Sequence, residues 1–455
     1  MTIAAHTLGC KLNFAETSDT LRRLAAEGNT IVDWAACSRG AEKADLYLIN
    51  TCTVTAVAEK KCRAAIRQAH RQNPDAQIVV MGCFAQVAAR EIEAIPGVTL
   101  VLGNDRKHLL PYMLNSANLG NRLNEISQDF DGPDNNNLQD FQDLAKREGF
   151  ALQWSSGDRT RTFFKIQDGC DYFCTYCAIP FARGRSRSAS IEETLCAARR
   201  IADSGSKEVI LTGVNTGTFG QHRNESFLDL LKGLDQIEGI LRYRISSIEP
   251  NLLTDDIIDF VASSRAFLPH FHIPLQAGSD HVLQLMHRRY DTALYAAKLQ
   301  RIKAVMPDAC IAADVMAGFN GENEEEFAKV LSFIDSLPIS YLHVFTYSDR
   351  PGTAALRLGE KIPVPVRHEH TARLLELSER KHRAFIDSQL GKTRPVLWES
   401  SPHPSNQALK QPSTQAEMLG WTDNYIRLCR PFSPTLANTV EQVTITPDNI
   451  VKDTD

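Results

Sequence analysis

Two sets of three cysteines carry the chemistry this sequence offers. The first lies in GCDYFCTYCAIPFARGRSRS (Gly169 to Ser188), where Cys170, Cys174 and Cys177 are spaced C-x-x-x-C-x-x-C. Thiolates at that spacing wrap one face of an iron–sulfur cluster, and three of them leave one iron of a four-iron cubane open. A zinc knuckle, or an electron-carrying cluster completed by a distant fourth cysteine, fits the spacing too. The second set is Cys10, Cys52 and Cys83, each just past an apolar run, in LGCKLN, INTC and MGCFAQ. If those runs are strands of one parallel sheet, their ends share an edge and the three sulfurs converge. The alternative is three small buried residues, a common fate of cysteine.

The elements that must position these residues show in the apolar pattern. The chain has 455 residues, enough for roughly three domains and a large core. In its first part, IAAHTLGC, ADLYLINTC, AQIVVMGC and VTLVLGN read as short strands. Helical stretches at 13–26 and 56–72 separate them, an α/β pattern of parallel, doubly wound type. Residues 121–150 break it, with three basic residues against seven acidic ones and little periodicity, and read as a linker or insertion. From Arg159 a second alternation begins, with TFFKIQDGC, EVILTGVN, RYRISSIEP, FHIPLQAG, IAADVMAGF and YLHVFTY as strands. Helices at 191–204 and 292–306 lie among them, and six such units predict an open, partial (β/α)6 barrel. A helix follows at 366–389, and the stretch from RPVLWES onward reads as small and all-β. The expected division is 1–118, 119–154, 155–388 and 389–455.

Composition sets the setting. Hydrophobic residues make up 43% and charged residues 23%, ordinary for a globular chain. MTIAAHTLGCKLN has no basic segment leading into an apolar core, and no apolar run nears the ~18 residues of a membrane span. A cytoplasmic protein with no membrane association is expected. Eleven cysteines, an odd and scattered set, argue for reduced thiols and metal ligation rather than a disulfide framework. The net charge of −5 confines any nucleic-acid binding to a local patch.

C-x-x-x-C-x-x-C after the first strand of a partial barrel is the signature of the radical S-adenosylmethionine (radical SAM) enzymes. With both triads the chain resembles, over nearly its full length, the radical methylthiotransferases. Further shared motifs are KIQDGC, CAIPFARGRSRS, TGVN, SSIEP, HIPLQAGSD and MHRRYD. The resemblance implies an N-terminal methylthiotransferase domain, a radical SAM barrel and a C-terminal TRAM domain. It implies two [4Fe-4S] clusters, an auxiliary one on Cys10, Cys52 and Cys83 and a second on Cys170, Cys174 and Cys177. The methionyl amine and carboxylate of S-adenosylmethionine would complete the second, whose electron splits the sulfonium to a 5′-deoxyadenosyl radical.

TLGCKLN and GRSRS resemble most the MtaB-type branch. That branch converts N6-threonylcarbamoyladenosine, just 3′ of the anticodon in some tRNAs, to its 2-methylthio form. One S-adenosylmethionine methylates a sulfur and a second provides the radical that removes hydrogen from C2. A tRNA substrate, an external flavodoxin- or ferredoxin-like electron donor and a sulfur donor are the partners so implied. Rival substrates are isopentenyladenosine tRNA, whose branch more often shows a GCQMN-like first motif, and an aspartate of a small-subunit ribosomal protein. A rival of another class, a non-enzymatic iron–sulfur protein that binds RNA or carries electrons, would need four protein ligands per cluster. GFNGEN (Gly318 to Asn323) departs from the family's usual GFPGET, which loosens a turn but touches no cluster ligand. Cys37, Cys62, Cys196, Cys310 and Cys429 match no ligand position and are expected to pack, with Cys62 conspicuous on the helix after Cys52.

Between Arg159 and Arg187 six basic residues, Arg159, Arg161, Lys165, Arg183, Arg185 and Arg187, face only Asp168 and Asp171. Guanidinium forks suit phosphates, so this run is expected to hold RNA beside the cysteine loop; a solvated charged surface is the plainer alternative. Arg288 and Arg289, and Arg63 and Arg67, extend the same expectation. Asn215, Ser247, Glu249 and Gln276 stand at strand ends, where polar groups meet a cofactor's ribose or methionyl group; strand capping is the plainer role. The resemblance places Tyr176 against the adenine. From residue 390 on, six basic residues against seven acids make no electrostatic case for RNA, which leaves shape, stacking on Trp421 and Tyr425, or a lopsided charge distribution.

Overall fold

The computed structural model describes residues 1–115, 149–157, 159–400 and 416–451. The predicted linker at 119–154 therefore falls mostly outside the described residues. The chain divides into two units, one of Met1–Ser156, Phe163–Ala189 and Ser348–Arg357, the other of Gly157–Thr162, Ser190–Tyr347 and Leu358–Asp455. Among the described residues no helix is long and apolar enough to cross a membrane.

In the first unit, β1 (Thr2–Thr7), β2 (Thr30–Val32), β3 (Leu46–Thr51), β4 (Gln77–Gly82) and β5 (Val98–Leu102) form a parallel sheet in the order β2-β1-β3-β4-β5. Tyr47, Ile49, Ile78 and Val80 pack under one face with Ile66 of the helix Ala56–Gln72. Leu46, Leu48, Val79 and Met81 pack under the other with Leu24 of the helix Lys11–Ala26. A strand covered on both faces is apolar at successive positions, which is why these runs lack polar alternation. The strand order reverses between β1 and β3, and such a reversal opens a crevice at the strands' C-terminal ends. Cys10 follows β1 and Cys52 follows β3, at that crevice; Cys83 follows the adjacent β4.

The same unit holds β6 (Gln153–Trp154), which pairs antiparallel with the end of β7 (Arg161–Lys165) through Gln153–Lys165 and Trp154–Phe164. A two-residue hairpin follows, β8 (Gln167–Asp168) against β9 (Arg187–Ser188), and the C-x-x-x-C-x-x-C segment lies between its arms. The predicted first barrel strand thus divides between the units, and the cysteine segment after it belongs with the N-terminal sheet.

The second unit carries β10 (Glu208–Thr212), β11 (Arg242–Ile245), β12 (His270–His272), β13 (Cys310–Ala317) and β14 (Tyr341–Thr346). They run parallel in series, with Tyr243–Phe267 and Ser247–His272 bridging the β11–β12 step. Helices Ile191–Asp203, Phe227–Asp235, Asp255–Ser263, Thr292–Val305 and Glu324–Ser336 alternate with them. Ser190, Ser226, Thr254, Asp291 and Asn323 cap these helices, each accepting a bond from a first-turn amide. In GFNGEN the missing proline is replaced by side chains. Glu322 accepts from the Gly318 amide at 2.6 Å and meets His370 Nδ1 at 3.1 Å, and Asn323 caps the next helix.

After the helix Val364–Asp387, β15 (Thr393–Trp398), β16 (Glu417–Thr422), β17 (Arg427–Pro431) and β18 (Val440–Thr444) form an antiparallel sheet in the order β17-β16-β15-β18. Val396, Trp398, Met418 and Leu428 fill its core. Its turn at Asp423–Tyr425 docks on the strand series: Arg242 and Arg244 donate to the Thr422 carbonyl, and Tyr425 stacks on His270 at 4.2 Å. Glu208 holds both guanidiniums, with Arg242 Nε and Arg244 Nε each at 2.8 Å. Burial pushes the Glu208 carboxyl up, but Arg242, Arg244 and Arg161 outweigh it and hold it at about 2.

Glu208→Gln leaves two buried guanidiniums uncompensated, and breaking a buried pair this way costs about 3–5 kcal/mol. Denaturant unfolding followed by tryptophan fluorescence should show that loss at neutral pH. The wild-type advantage should be intact above the free carboxylate value of 4.5 and fade as pH falls toward 2. A gap that persists at pH 2 would contradict this account.

Candidate active site

Backbone and amide contacts bring the N-terminal cysteines together. Gly9, at φ +100°, lets the Cys10 loop run against Cys52; a Cβ there would fall 2.9 Å from Cys52 Sγ. Asn13 ties the loop down by donating to the Leu8 and Thr51 carbonyls, each at 2.8 Å. Thr51 Oγ1 then donates to the Met81 carbonyl at 2.6 Å and accepts from the Ala85 amide at 3.2 Å, fixing the turn that carries Cys83. Cys83 Sγ accepts from Asn104 Nδ2 at 3.4 Å. The neighbouring sulfurs act electrostatically on one another, and burial pushes the Cys52 thiol up to about 12, with Cys83 and Cys10 adding to the rise. Cys52 and Cys83 are buried and Cys10 is exposed beside them, and thiols grouped this way ionise when a metal takes the proton's place. Three sulfurs at one sheet edge, with one facing an amide donor, suit a cluster with one open position.

The second triad is held by its flanks. Gly169, at φ +72°, passes so close to the Arg185 carbonyl that a Cβ would lie 1.9 Å from its oxygen. Cys170 N donates to the Gly184 carbonyl at 3.0 Å, and Cys177 N donates to the Cys174 carbonyl at 3.0 Å. Ile179 N donates to Cys177 Sγ at 3.4 Å. The short helix Ile179–Arg183 packs against the helix Cys83–Val87 of the other triad, and Asn104 Nδ2 reaches the Ala182 carbonyl at 2.8 Å. The segment Ser348–Arg357 touches both loops. Arg350 pairs with Glu59 and donates to Thr53 Oγ1 at 3.1 Å, while Ala355 N donates to the Thr175 carbonyl at 2.8 Å.

Between the triads lies a buried ion network. Arg183 Nη1 binds Asp168 Oδ1 at 2.8 Å and Glu16 Oε1 at 3.3 Å, and its Nη2 binds Asn13 Oδ1 at 2.6 Å. Lys165 Nζ reaches Glu16 at 2.8 Å and Asp168 at 3.0 Å; Lys107 pairs with Glu16. Burial raises the Glu16 and Asp168 carboxyls, but Arg183 and the lysines outweigh it and hold both well below the usual range.

This geometry corrects several expectations. Arg183 is 2% exposed and bound to carboxylates, so it is no phosphate ligand. Arg187 pairs with Asp168 at 3.1 Å, and Arg161 lies near Glu399 at 3.8 Å. Arg288 pairs with Glu249, its side chain 3% exposed, and Arg63 with Glu91. Arg159, Arg185, Arg289 and Arg67 remain at the surface. Trp421 already carries Arg161 at 4.6 Å from its ring centroid, and Tyr425 is stacked on His270, so neither ring is an open platform for bases.

In the second unit Asn215 is buried, and Ser247 Oγ lies 3.0 Å from His272 Nδ1, whose Nε2 lies 2.7 Å from Asp314 Oδ1. Gln276 has φ +67° and bonds β13 through its backbone. Tyr176 is half-buried in the cysteine loop of the first unit. Cys37 and Cys310 are buried as expected, Cys429 is intermediate and Cys196 is exposed. Cys62 is buried against the Cys52 backbone, accepting from its amide at 3.4 Å. Sequence reasoning missed Glu16, Asn104, Lys107 and Arg350. Asn13 alone had a signal, inside TLGCKLN.

Comparisons with known proteins bear on both units. The family model of Uncharacterized protein family UPF0004 matches residues 2–103, and that of the Radical SAM superfamily matches residues 164–334. The chain is 38% identical over 430 residues to the threonylcarbamoyladenosine tRNA methylthiotransferase MtaB of Bacillus subtilis, covering 94% of this chain and 90% of that one. It is 35% identical to the protein of the same name from Aquifex aeolicus, covering 86% and 91%. It is 30% identical to the tRNA-2-methylthio-N(6)-dimethylallyladenosine synthase of Desulfitobacterium hafniense, covering 97% and 94%. Among solved structures, the radical S-adenosylmethionine methyltransferase TsrM of Kitasatospora setae shares the fold at a TM-score of 0.54 and 14% identity, over 78% of this chain and 76% of that one.

The two central arginines should separate cleanly. Arg183→Ala takes away the one guanidinium that Asp168, Glu16 and Asn13 share, leaves the carboxylates to Lys107, Lys165 and Arg187, opens a hole in the interior, and should cost about 3–5 kcal/mol. Arg185→Ala, with a side chain 54% exposed, should stay within about 0.5 kcal/mol of wild type. Equal unfolding midpoints for the two variants would remove the network from the account.

Proposed function

The chain belongs to the radical SAM methylthiotransferase family, and we propose that it adds a methylthio group to C2 of N6-threonylcarbamoyladenosine in tRNA. The observation that carries the reading is the pair of cysteine triads, one at a sheet's reversal point and one in a loop clamped beside it. Identities of 38% and 35% to two threonylcarbamoyladenosine enzymes, against 30–32% for three dimethylallyladenosine enzymes, support the choice of base.

When bound, two [4Fe-4S] clusters and S-adenosylmethionine supply what acid–base side chains cannot: the methyl group, the electron and the power to take hydrogen from an unactivated ring carbon. The side chains bind and orient. Cys10, Cys52 and Cys83 hold the auxiliary cluster, and Cys170, Cys174 and Cys177 hold the other. Ser247, its hydroxyl oriented by His272, and Glu249, oriented by Arg288, present fixed polar groups to the cofactor together with Asn215 and Gln276. Tyr176 flanks the adenine. Arg159, Arg185 and Arg289 are exposed residues that offer phosphate contacts, Arg185 in exchange for its 3.7 Å pair with Asp171. Residues 1–118 serve as the methylthiotransferase domain, 155–388 as the partial barrel, and 389–455, antiparallel where described, as the TRAM domain. A cytoplasmic setting, an external flavodoxin- or ferredoxin-like electron donor and a sulfur donor complete the reading.

Nucleosides from tRNA of a strain lacking this chain should retain threonylcarbamoyladenosine and lack its 2-methylthio form by mass spectrometry. Loss of the methylthio form of dimethylallyladenosine instead would move the enzyme to the other substrate.

Anaerobic reconstitution should load about eight irons per chain, four on each triad. Replacing Cys10, Cys52 and Cys83 by alanine should leave cleavage of S-adenosylmethionine and abolish thiolation. Normal methylthio product from that variant would exclude the N-terminal cysteines from the reaction.

A further inference from the structure

Three buried cations, Lys107, Lys165 and Arg183, share two buried carboxylates, Glu16 and Asp168. Arg187 adds a fourth cation at the margin, on Asp168. A surplus positive charge in a low-dielectric interior is costly unless a negative group faces it. Here the facing group is sulfur. Asn104 donates through Nδ2 to Cys83 Sγ at 3.4 Å and accepts through Oδ1 from Lys107 Nζ at 2.5 Å, so one amide links the ammonium to the sulfur. Arg183 holds Asn13, three residues from Cys10, and its charge acts on both Cys83 and Cys10. Neutral thiols give this surplus nothing to balance, whereas thiolates on a metal cluster do.

We propose that Asn104 and Lys107 are positioning residues of the Cys10, Cys52 and Cys83 centre: the amide fixes Cys83 Sγ, and the ammonium behind it is a buried counter-charge that favours the reduced, more negative state of the cluster. The inference rests on the assignment of that triad as cluster ligands. It follows from general behaviour, since hydrogen bonds to sulfur and the net charge around a cluster set its potential. Asn104 also holds the Ala182 carbonyl, so the same amide keeps the neighbouring loop in register with Cys83.

The test uses the full-length chain with Cys170, Cys174 and Cys177 replaced by alanine, reconstituted so that only the N-terminal centre is loaded. Its midpoint potential is read by redox titration with electron paramagnetic resonance. Lys107→Met and Asn104→Leu should each lower the potential, and a tenfold loss of preference for the reduced state reads as 59 mV for one electron. Lys107→Arg should restore it. If the triple-alanine chain holds no iron, the ligand assignment itself fails. If it holds iron and both variants titrate at its potential, the counter-charge alone is overturned. Should Lys107→Met not fold, as judged by hydrogen exchange in β1–β5, Asn104→Leu decides the question. A folded variant that loses iron from this centre, with Lys107→Arg retaining it, supports the proposal. Unfolding of both variants overturns it in favour of a network that serves the fold alone.

Discussion

The contact on which the rest depends is Arg183 with Glu16 and Asp168. Asp168 precedes the cysteine loop, Arg183 follows it, and Glu16 lies on the helix that begins just after Cys10. One guanidinium therefore closes the loop on itself and fastens it to the N-terminal sheet. Buried ion pairs add little net stability, because desolvation offsets their attraction, yet losing one partner is severe. Such a network selects one arrangement over its near neighbours. A loop that must present three sulfurs in a fixed pattern needs that kind of specificity more than it needs extra stability.

The first triad relies on topology instead. Reversal of strand order between β1 and β3 separates the two connections, and the gap between them is where Cys10 and Cys52 stand. Small polar side chains then set the spacing: Asn13, on the helix after Cys10, ties the Leu8 carbonyl after β1 to the Thr51 carbonyl at the end of β3, and Thr51 crosses from β3 to β4. Each cysteine is held by its own strand and by the strand beside it. The segment Ser348–Arg357 adds a contact to each triad's loop from far along the chain, Arg350 to Thr53 and Ala355 to Thr175.

Much of this was legible in the sequence. Apolar runs covered on both faces mark β1, β3, β4 and β5, and the cysteines sit at their ends as expected. The helix Ala56–Gln72 matches its predicted span, and Ile191–Asp203 and Thr292–Val305 end one residue early. The roles of the arginines were not legible. Arg183, Arg185 and Arg187 are two residues apart, a spacing that puts side chains on one face only if the segment is a strand. Here a helix ends at Arg183, Gly184 turns at φ +76°, and only Arg187 and Ser188 are extended. Composition counted three like charges where the backbone makes one buried, one exposed and one shared. The pairs Arg288–Glu249 and Arg350–Glu59 escape sequence reasoning for another reason, since nothing local marks the partner.

Those arginines also explain why the second cysteine loop sorts with the N-terminal sheet, although periodicity assigned it to the barrel. Arg183 and Asp168 are buried, and neither is tolerable alone in a low-dielectric interior. Asp168 answers part of the charge on Arg183, but the second guanidinium nitrogen is satisfied by Asn13 and Glu16, both on the helix after Cys10. Lys165, just before the loop, likewise divides its ammonium between Glu16 and Asp168. The loop can therefore be fully satisfied only when that helix is in place. Without it, two cations and a carboxylate would face each other with one acceptor too few. The ordering of Cys170, Cys174 and Cys177 is thus conditional on the element that begins at Cys10, and the two triads share a structural dependence before either holds a metal.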